Sequence, residues 1–346
     1  MTDELDHHEV ARQLLACLRD FARDSTLEYE KPPASMAGGF DTATFAFRLR
    51  HDKPDLGGSL VLRLYRAHAE RQARMETAVQ SALLDQGFPV ARVLLEGGSR
   101  RIAGRPFMVM ERLPGISLAD ALFRALPVSA AAPRLMSETQ SRLHETPVDT
   151  IGDALRLRGM QPASVSLDGY FDGLERQVAH PRLEALQPVL RWFQTNRPSI
   201  GTVTLCHGDF HPGNILVDGD RVSGVLDWAN TTLAEPEYDL AVTHVGLTVA
   251  VAAFLPPSTR SQIERVAVEH IRLYRELRTV DEGRLEFYEG LRAFRALTRV
   301  AALRAGLDPA YRPGDDYPWA VPEVADRLQQ LVHSLTGAWP PLPRGT

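Results

Sequence analysis

The apolar positions change period several times along the first 111 residues. Val10, Leu14, Leu15, Leu18 and Phe21 recur at helical spacing and predict an amphipathic helix over about 6–23. From 27 the period falls to two. Residues 27–31 read as a first strand. Over 42–49, Phe45, Phe47 and Leu49 alternate with Thr44, Ala46 and Arg48, and 59–65 is a further strand rich in branched apolar residues. Met75, Val79, Ala82 and Leu83 then form one stripe of a helix over about 69–86. Strands over 92–95 and 106–110 follow.

After Glu111-Arg-Leu-Pro-Gly115 the helical period takes over. Ser117 and Ser129 suit helix N-caps, the second opening a helix over 129–144. Further helices are predicted near 167–179, 182–196, 237–253, 258–277, 282–305 and 321–336. Residues 147–165 are punctuated by Pro and Gly and read as loop, and the last eight residues as a Pro-rich tail. The pattern predicts an α+β, bilobal fold. A small sheet-rich lobe (1–112) is joined near 111–116 to a larger helical lobe (113–346), a division that 346 residues can support.

Composition narrows the partners. A net charge of −5 without any basic run argues against nucleic acid. No stretch approaches the ~18–20 uninterrupted apolar residues of a membrane span. The N-terminus is acidic and lacks the order of a signal peptide, and Cys17 and Cys206 are too few for a disulfide framework. A cytoplasmic address is expected.

One interruption of the helical region concentrates polar chemistry. The apolar runs 215–217 and 222–226 flank Asp218-Gly219-Asp220, which predicts a tight hairpin with Asp218 facing Arg221 and Asn214 facing Val225. Asp227 then lies just past the open end, near Asn214, and Pro212-Gly213 folds the preceding loop so that Asp209 reaches the same mouth. Two carboxylates and an amide suit Mg²⁺, a hard cation that takes oxygen ligands and keeps substrate phosphates. His207 and His211 sit in a Gly/Pro-broken loop, so they read as loop-bracing residues and not as metal ligands. Cys206 reads as a small buried hydrophobe, and Asp239 as a bracing carboxylate. Gly38-Gly39-Phe40 lies in a turn between two strands whose N–H groups could face phosphates. There is no Gly-Lys-Ser/Thr and hence no Walker-type loop.

The ordered set His207-Gly-Asp209, Asn214 and Leu226-Asp227-Trp228, followed by Glu235-Pro-Glu-Tyr-Asp239-Leu-Ala, resembles the aminoglycoside phosphotransferase/choline kinase group of the protein-kinase-like fold. The resemblance runs from about 35 to 245. It implies transfer of the γ-phosphoryl group of ATP (or GTP) to a hydroxyl of a small molecule such as an aminoglycoside, a macrolide or an amino-alcohol. Asp209 would orient and deprotonate that hydroxyl, and Asn214 and Asp227 would hold Mg²⁺. Gly38, Gly39 and Phe40 would cover the phosphates. Arg63 would replace the usual third-strand Lys, paired with Glu76 on the next helix, with Glu70 a less favoured partner. Main-chain groups of Met110, Glu111 and Leu113 would meet the purine. For a cationic acceptor, Tyr170, Asp172 and Glu175, or Glu282, Glu286 and Glu289, are candidates; each set otherwise reads as a solvated helix face. Two rivals stand beside this reading. A catalytically silent nucleotide-binding module draws support from Arg63 alone. A protein Ser/Thr kinase is opposed by Trp228 and by the lack of an Ala-Pro-Glu segment after Asp227.

Overall fold

The computed structural model describes residues 5–36, 42–50, 56–251, 254–307, 319 and 321–343. Gly38, Gly39 and Phe40 lie outside them. The chain opens with α1 (His7–Ala22), capped by the Asp6 carboxylate, which accepts from the His8 and Glu9 N–H groups. Strands β1 (Glu28–Ser35), β2 (Ala43–Arg50) and β3 (Ser59–Leu64) precede α2 (Glu70–Asp85), and β4 (Val93–Glu96) and β5 (Phe107–Glu111) follow it. These five strands form one antiparallel sheet in the order β1-β2-β3-β5-β4.

Strand alternation assigns each face of this sheet its own core. Leu60, Leu62 and Leu64 of β3, with Phe107 and Val109 of β5, pack with Val10, Leu14 and Leu18 of α1. Val61, Tyr65, Met108 and Met110 point the other way and pack with Ala73 of α2. Arg63 shares that second face, opposite Met108 in the ladder. α2 is buried on a further side as well: Met75, Ala78, Val79 and Leu83 join a core with Ile215, Val225 and Trp228 from the hairpin region.

The rest of the chain is mainly helical. A two-residue strand β6 (Ile116–Ser117) leads to α3 (Leu118–Phe123), where Ser117 is the N-cap and accepts from the Asp120 N–H at 3.0 Å. Then come α4 (Ala132–Leu143), α5 (Val148–Leu157), α6 (Leu167–Val178) and α7 (Gln187–Thr195). Strands β7 (Thr204–Cys206), β8 (Ile215–Asp218), β9 (Arg221–Val225) and β10 (Thr232–Ala234) carry the polar hairpin. Helices α8 (Pro236–Val245), α9 (Pro257–Leu277), α10 (Glu282–Arg304) and α11 (Pro322–Thr336) complete the order.

Three expectations need correction. Ser129 is not an N-cap: it lies in a 3-10 turn, Pro127–Ala131, and α4 begins at Ala132. Pro133 sets that start, because a residue without an N–H fits the first turn but not the helix interior. Residues 147–165 are not loop, since α5 occupies Val148–Leu157. The flanking prolines 147 and 162 lie outside it, while Ile151 and Leu155, one turn apart, are buried. The helix expected over 237–253 ends at Val245 and continues as a π-helical turn, Gly246–Val251.

Helices α4 and α9 are joined by a buried polar clamp. His270 donates through Nε2 to Gln140 Oε1 at 2.8 Å, and its Nδ1 lies 3.2 Å from Ser137 Oγ. Burial pushes the His270 pKa down from 6.5 to about 3. The unfolded chain therefore binds a proton that the folded chain refuses, so stability is lost as pH falls from about 6.5 toward 3. The urea midpoint should fall between pH 7 and pH 5, and more steeply in the wild type than in His270→Gln. Parallel pH profiles for the two proteins would remove His270 from the acid response.

Candidate active site

The loop between β7 and β8 is built around a buried carboxylate. Asp239, in the first turn of α8, is fully buried, and its two oxygens accept from the His207 N–H (3.0 Å) and the Gly208 N–H (2.7 Å). His144 Nε2 lies 3.2 Å from Asp239 Oδ2, and His144 Nδ1 lies 2.6 Å from the Tyr274 hydroxyl. Burial opposes ionisation of Asp239, but the His144 hydrogen bond and charge, with the Gly208 N–H, outweigh it and hold the carboxyl below its ordinary range. The bracing role expected of Asp239 is what the geometry provides.

Gly208 has φ of +75°, and a Cβ there would run into the Asn230 carbonyl. The turn thus requires glycine on both conformational and steric grounds. Beyond it the His207 ring ties the site together. Its Nδ1 accepts from the Asp209 N–H at 3.2 Å, and its Nε2 donates to the Leu226 carbonyl at 2.9 Å. One buried imidazole thereby links the residue bearing one carboxylate to the neighbour of the other. His211 also braces the loop, its Nδ1 accepting from the Gly213 N–H at 3.0 Å.

Asn214 donates through Nδ2 to the Asp209 carbonyl at 3.0 Å, and its own carbonyl accepts from the Leu226 N–H at 2.8 Å. Asp209, Asn214 and Asp227 are therefore held at one mouth. The hairpin register differs from expectation by one residue: Asp218 does face Arg221, but Val225 faces Ile215, not Asn214. A bulge between Leu216 and Val217 on one side and Gly224 and Val222 on the other accounts for the slip. It places Asn214 beside Leu226 and so next to Asp227. Asp227 itself has φ of +66°, a left-handed conformation that Asp tolerates better than most residues.

Arg63 enters this mouth from the sheet. Its Nη2 donates to Asp227 Oδ1 at 2.7 Å, and its Nη1 lies 3.4 Å from Glu76 Oε2. Glu70 instead pairs with Arg101 at 2.5 Å. Burial pushes the Asp227 carboxyl up, yet the charge and hydrogen bond of Arg63 outweigh it and hold it below the usual range. Burial dominates at Glu76, helped by the Asp227 charge, and raises its pKa to about 7 against the pull of Arg63. Met110 and Glu111 end β5, where Met110 faces Val61 and Arg63 lies two residues further along β3. The Glu111 carboxylate accepts from the Arg92 N–H at 2.9 Å, and the Leu113 side chain packs over Gly224. The Leu113 N–H has no hydrogen-bond partner among the described residues.

Hard oxygen donors are available here for a cation. The Asn214 amide is engaged through its nitrogen, and the second oxygen of Asp227 is not held by Arg63, so one amide oxygen and one carboxylate oxygen remain. A different close set, His144, Cys206 and Asp239, does not fit a metal. It is wholly buried, the Asp239 oxygens are already spent on loop N–H groups, and burial, with the Asp239 charge, holds the Cys206 thiol well above its ordinary pKa.

Asp209 also lines a cavity of about 900 Å³ bounded by the start of α2, by α6 and by α10. Tyr170 lines it, but Asp172 and Glu175 are exposed elsewhere on α6. Glu282 pairs with Arg275 and Glu289 with His244, while Glu286 is exposed. No carboxylate of either set lines the cavity. Arg292, Arg295 and Arg299 do reach it. Their spacing of i, i+3 and i+7 places them on one helix face, a pattern present in the residue order.

Gly208→Ala should lower the unfolding free energy by about 2 kcal/mol or more, from positive-φ strain together with the collision at Asn230. Urea denaturation checks this; a change below about 0.5 kcal/mol, the size of an ordinary surface substitution, would show that the turn relaxes freely.

Residues 35–278 match the phosphotransferase enzyme family. Acyl-CoA dehydrogenase family member 11 of Homo sapiens is 32% identical over 226 residues, which are 61% of this chain; the chain spans only 26% of that relative's length. An aminoglycoside 3'-phosphotransferase of Streptomyces ribosidificus is 25% identical over 73% of this chain and 92% of its own. Among solved structures, a thermostable mutant of aminoglycoside phosphotransferase APH(4)-Ia, in ternary complex with AMP-PNP and hygromycin B, shares the fold. Its TM-score is 0.55 at 18% identity, covering 90% of this chain and 96% of that one. The α+β, kinase-like architecture is thereby established, and with more than half its length matched by one family, this chain belongs to the phosphotransferase enzyme family.

Proposed function

We propose that this chain transfers the γ-phosphoryl group of ATP, or of GTP, to a hydroxyl of a small molecule, with Asp209 as the base. The observation that carries the proposal is the hydrogen-bonded convergence of Asp209, Asn214 and Asp227, with Arg63 donating into the same mouth. The nucleotide reading is supported by the AMP-PNP held by the APH(4)-Ia neighbour.

Phosphoryl transfer asks mainly for positioning and for neutralisation of phosphate charge. Asp209 lies at the border of the 900 Å³ cavity, with its side chain partly exposed, so an acceptor hydroxyl there would donate to its carboxylate. As the acceptor oxygen forms its bond to the γ-phosphorus, the bond to the β-phosphate oxygen breaks. The nucleoside diphosphate leaves with that electron pair, and the hydroxyl proton passes to Asp209. Arg63 sits between Glu76 and Asp227, and its guanidinium would add positive charge beside the phosphates. Mg²⁺, held by the Asn214 amide oxygen and the Asp227 carboxylate, would neutralise charge on the phosphates. The Leu113 N–H is the hinge group available to a purine edge.

Asp209→Asn should lower turnover by ~10²–10⁴-fold, the usual contribution of a positioned base, with nucleotide affinity kept. Turnover within a few fold of wild type would refute the base assignment. Asp227→Asn should instead weaken Mg²⁺–AMP-PNP binding at least tenfold, or about 1.4 kcal/mol, by calorimetry. An affinity unchanged both with and without Mg²⁺ would remove Asp227 from the metal site.

A further inference from the structure

Among its described lining residues, the cavity beside Asp209 has the wrong sign for a polycation. Four arginines line it, Arg71, Arg292, Arg295 and Arg299, and Asp209 is the sole carboxylate among its described lining residues. This excess of positive charge occurs in a chain whose net charge is −5, so it is a local arrangement and not a reflection of overall composition. Three of the arginines come from α10, where positions 292, 295 and 299 share one face and span about 10 Å along the axis.

Two of them are poised to donate. The Arg292 guanidinium lies over the Trp319 ring, 4.6 Å from its centroid, and that of Arg295 over the Tyr170 ring at 4.9 Å. A guanidinium held over an aromatic ring keeps N–H donors that can meet a planar or tetrahedral anion. Neither side chain makes an ion pair with a carboxylate among the described residues, although surface arginines elsewhere on the chain repeatedly do. The Nε of Arg292 is buried without a hydrogen-bond partner, and so is the Tyr170 hydroxyl, a further donor facing the same space. On the far side, Arg71 reaches across from α2 to the Ser164 carbonyl at 3.3 Å, which adds a positive charge to the opposite rim.

We infer that the acceptor is an anionic alcohol: a molecule with a hydroxyl at the Asp209 end and one or more phosphate or carboxylate groups held by Arg292 and Arg295 at the other. The inference rests on the phosphotransfer reading above and gives it an acceptor class. A cavity of about 900 Å³ leaves room for a body between the two ends, and the 10 Å row admits more than one anionic group. An amino-sugar carrying several ammonium groups would meet the arginines directly, and like charges at close quarters disfavour the wrong partner.

The test titrates the full chain, saturated with Mg²⁺–AMP-PNP so that the nucleotide side is filled, with three probes: fructose 1,6-bisphosphate, fructose and kanamycin. Calorimetry should detect the bisphosphate and neither of the others. The double variant Arg292→Gln/Arg295→Gln should weaken that binding at least tenfold, and Arg292→Lys/Arg295→Lys should restore part of it. Binding of kanamycin without the bisphosphate, absence of bisphosphate binding, or equal affinity in wild type and double variant would each overturn the anionic acceptor. A parallel arm incubates Mg²⁺–ATP with sugars and short polyols in matched neutral, amino and phosphorylated or carboxylated forms. Diphosphate release is followed, and the added phosphoryl group is located by mass spectrometry. Anionic members should exceed their neutral and amino partners at least tenfold in kcat/KM, and whether phosphate or carboxylate is preferred identifies the anion. If an amino form is phosphorylated best, the acceptor class falls while the phosphotransfer reading stands. If Asp209→Asn turns over as fast as wild type, the reading of Asp209 falls while the bisphosphate titration still decides the anion site.

Discussion

An ionised carboxylate with no solvent exposure holds the candidate site in shape. Asp239 takes two consecutive N–H groups, those of His207 and Gly208, and so dictates the turn that presents Asp209. Without those donors its burial would be untenable, because an unpaired charge in the interior is far more costly than a paired one. The dependence runs both ways. His144, at the end of α4, completes the coordination of the carboxylate and leans on Tyr274 of α9. The loop, α4, α8 and α9 are thus tied to one group, and the geometry of the mouth depends on the helices packed behind it.

Arg63 extends the same logic across the cleft. It has two acidic neighbours with opposite responses, Asp227 held readily ionised and Glu76 raised to about 7 by burial. The difference is one of solvent access: Glu76 is fully buried, whereas the Asp227 side chain opens toward the mouth. The more exposed carboxylate keeps its charge and a free oxygen, which is the property a cation ligand needs.

Much of this was legible from residue order, and the misses are instructive. Period-two alternation in 59–65 already placed Arg63 opposite to Leu62 and Leu64, on the face where α2 supplies Glu76. The turn at 219–220 was readable from Gly219. The bulge that moves Val225 from Asn214 to Ile215 was not, since a bulge is a property of pairing and leaves no fixed residue signature. Helix α5 is masked in the sequence by prolines 147 and 162, which flank its apolar period and do not interrupt it. His144 lies 95 residues from Asp239, and no local pattern could have joined them. The cavity charge was accessible in principle from three arginines on one helix face, but only the fold says what that face confronts.

The double burial of α2 also bears on how the chain reaches its native state. Its Ala73 side packs on the sheet, which is complete once residue 111 has been made. Its other side, through Met75, Val79 and Leu83, shares a core with Ile215, Val225 and Trp228. During synthesis α5, whose Ile151 and Leu155 join that core, follows within roughly 50 residues, but the hairpin part waits for roughly 120, about 6–24 s at ordinary elongation rates. For that interval a nearly finished sheet carries a helix whose second apolar face is only partly covered. A nascent chain of this design has reason to be held by a chaperone, and slowing translation between 111 and 228 would lengthen its exposure.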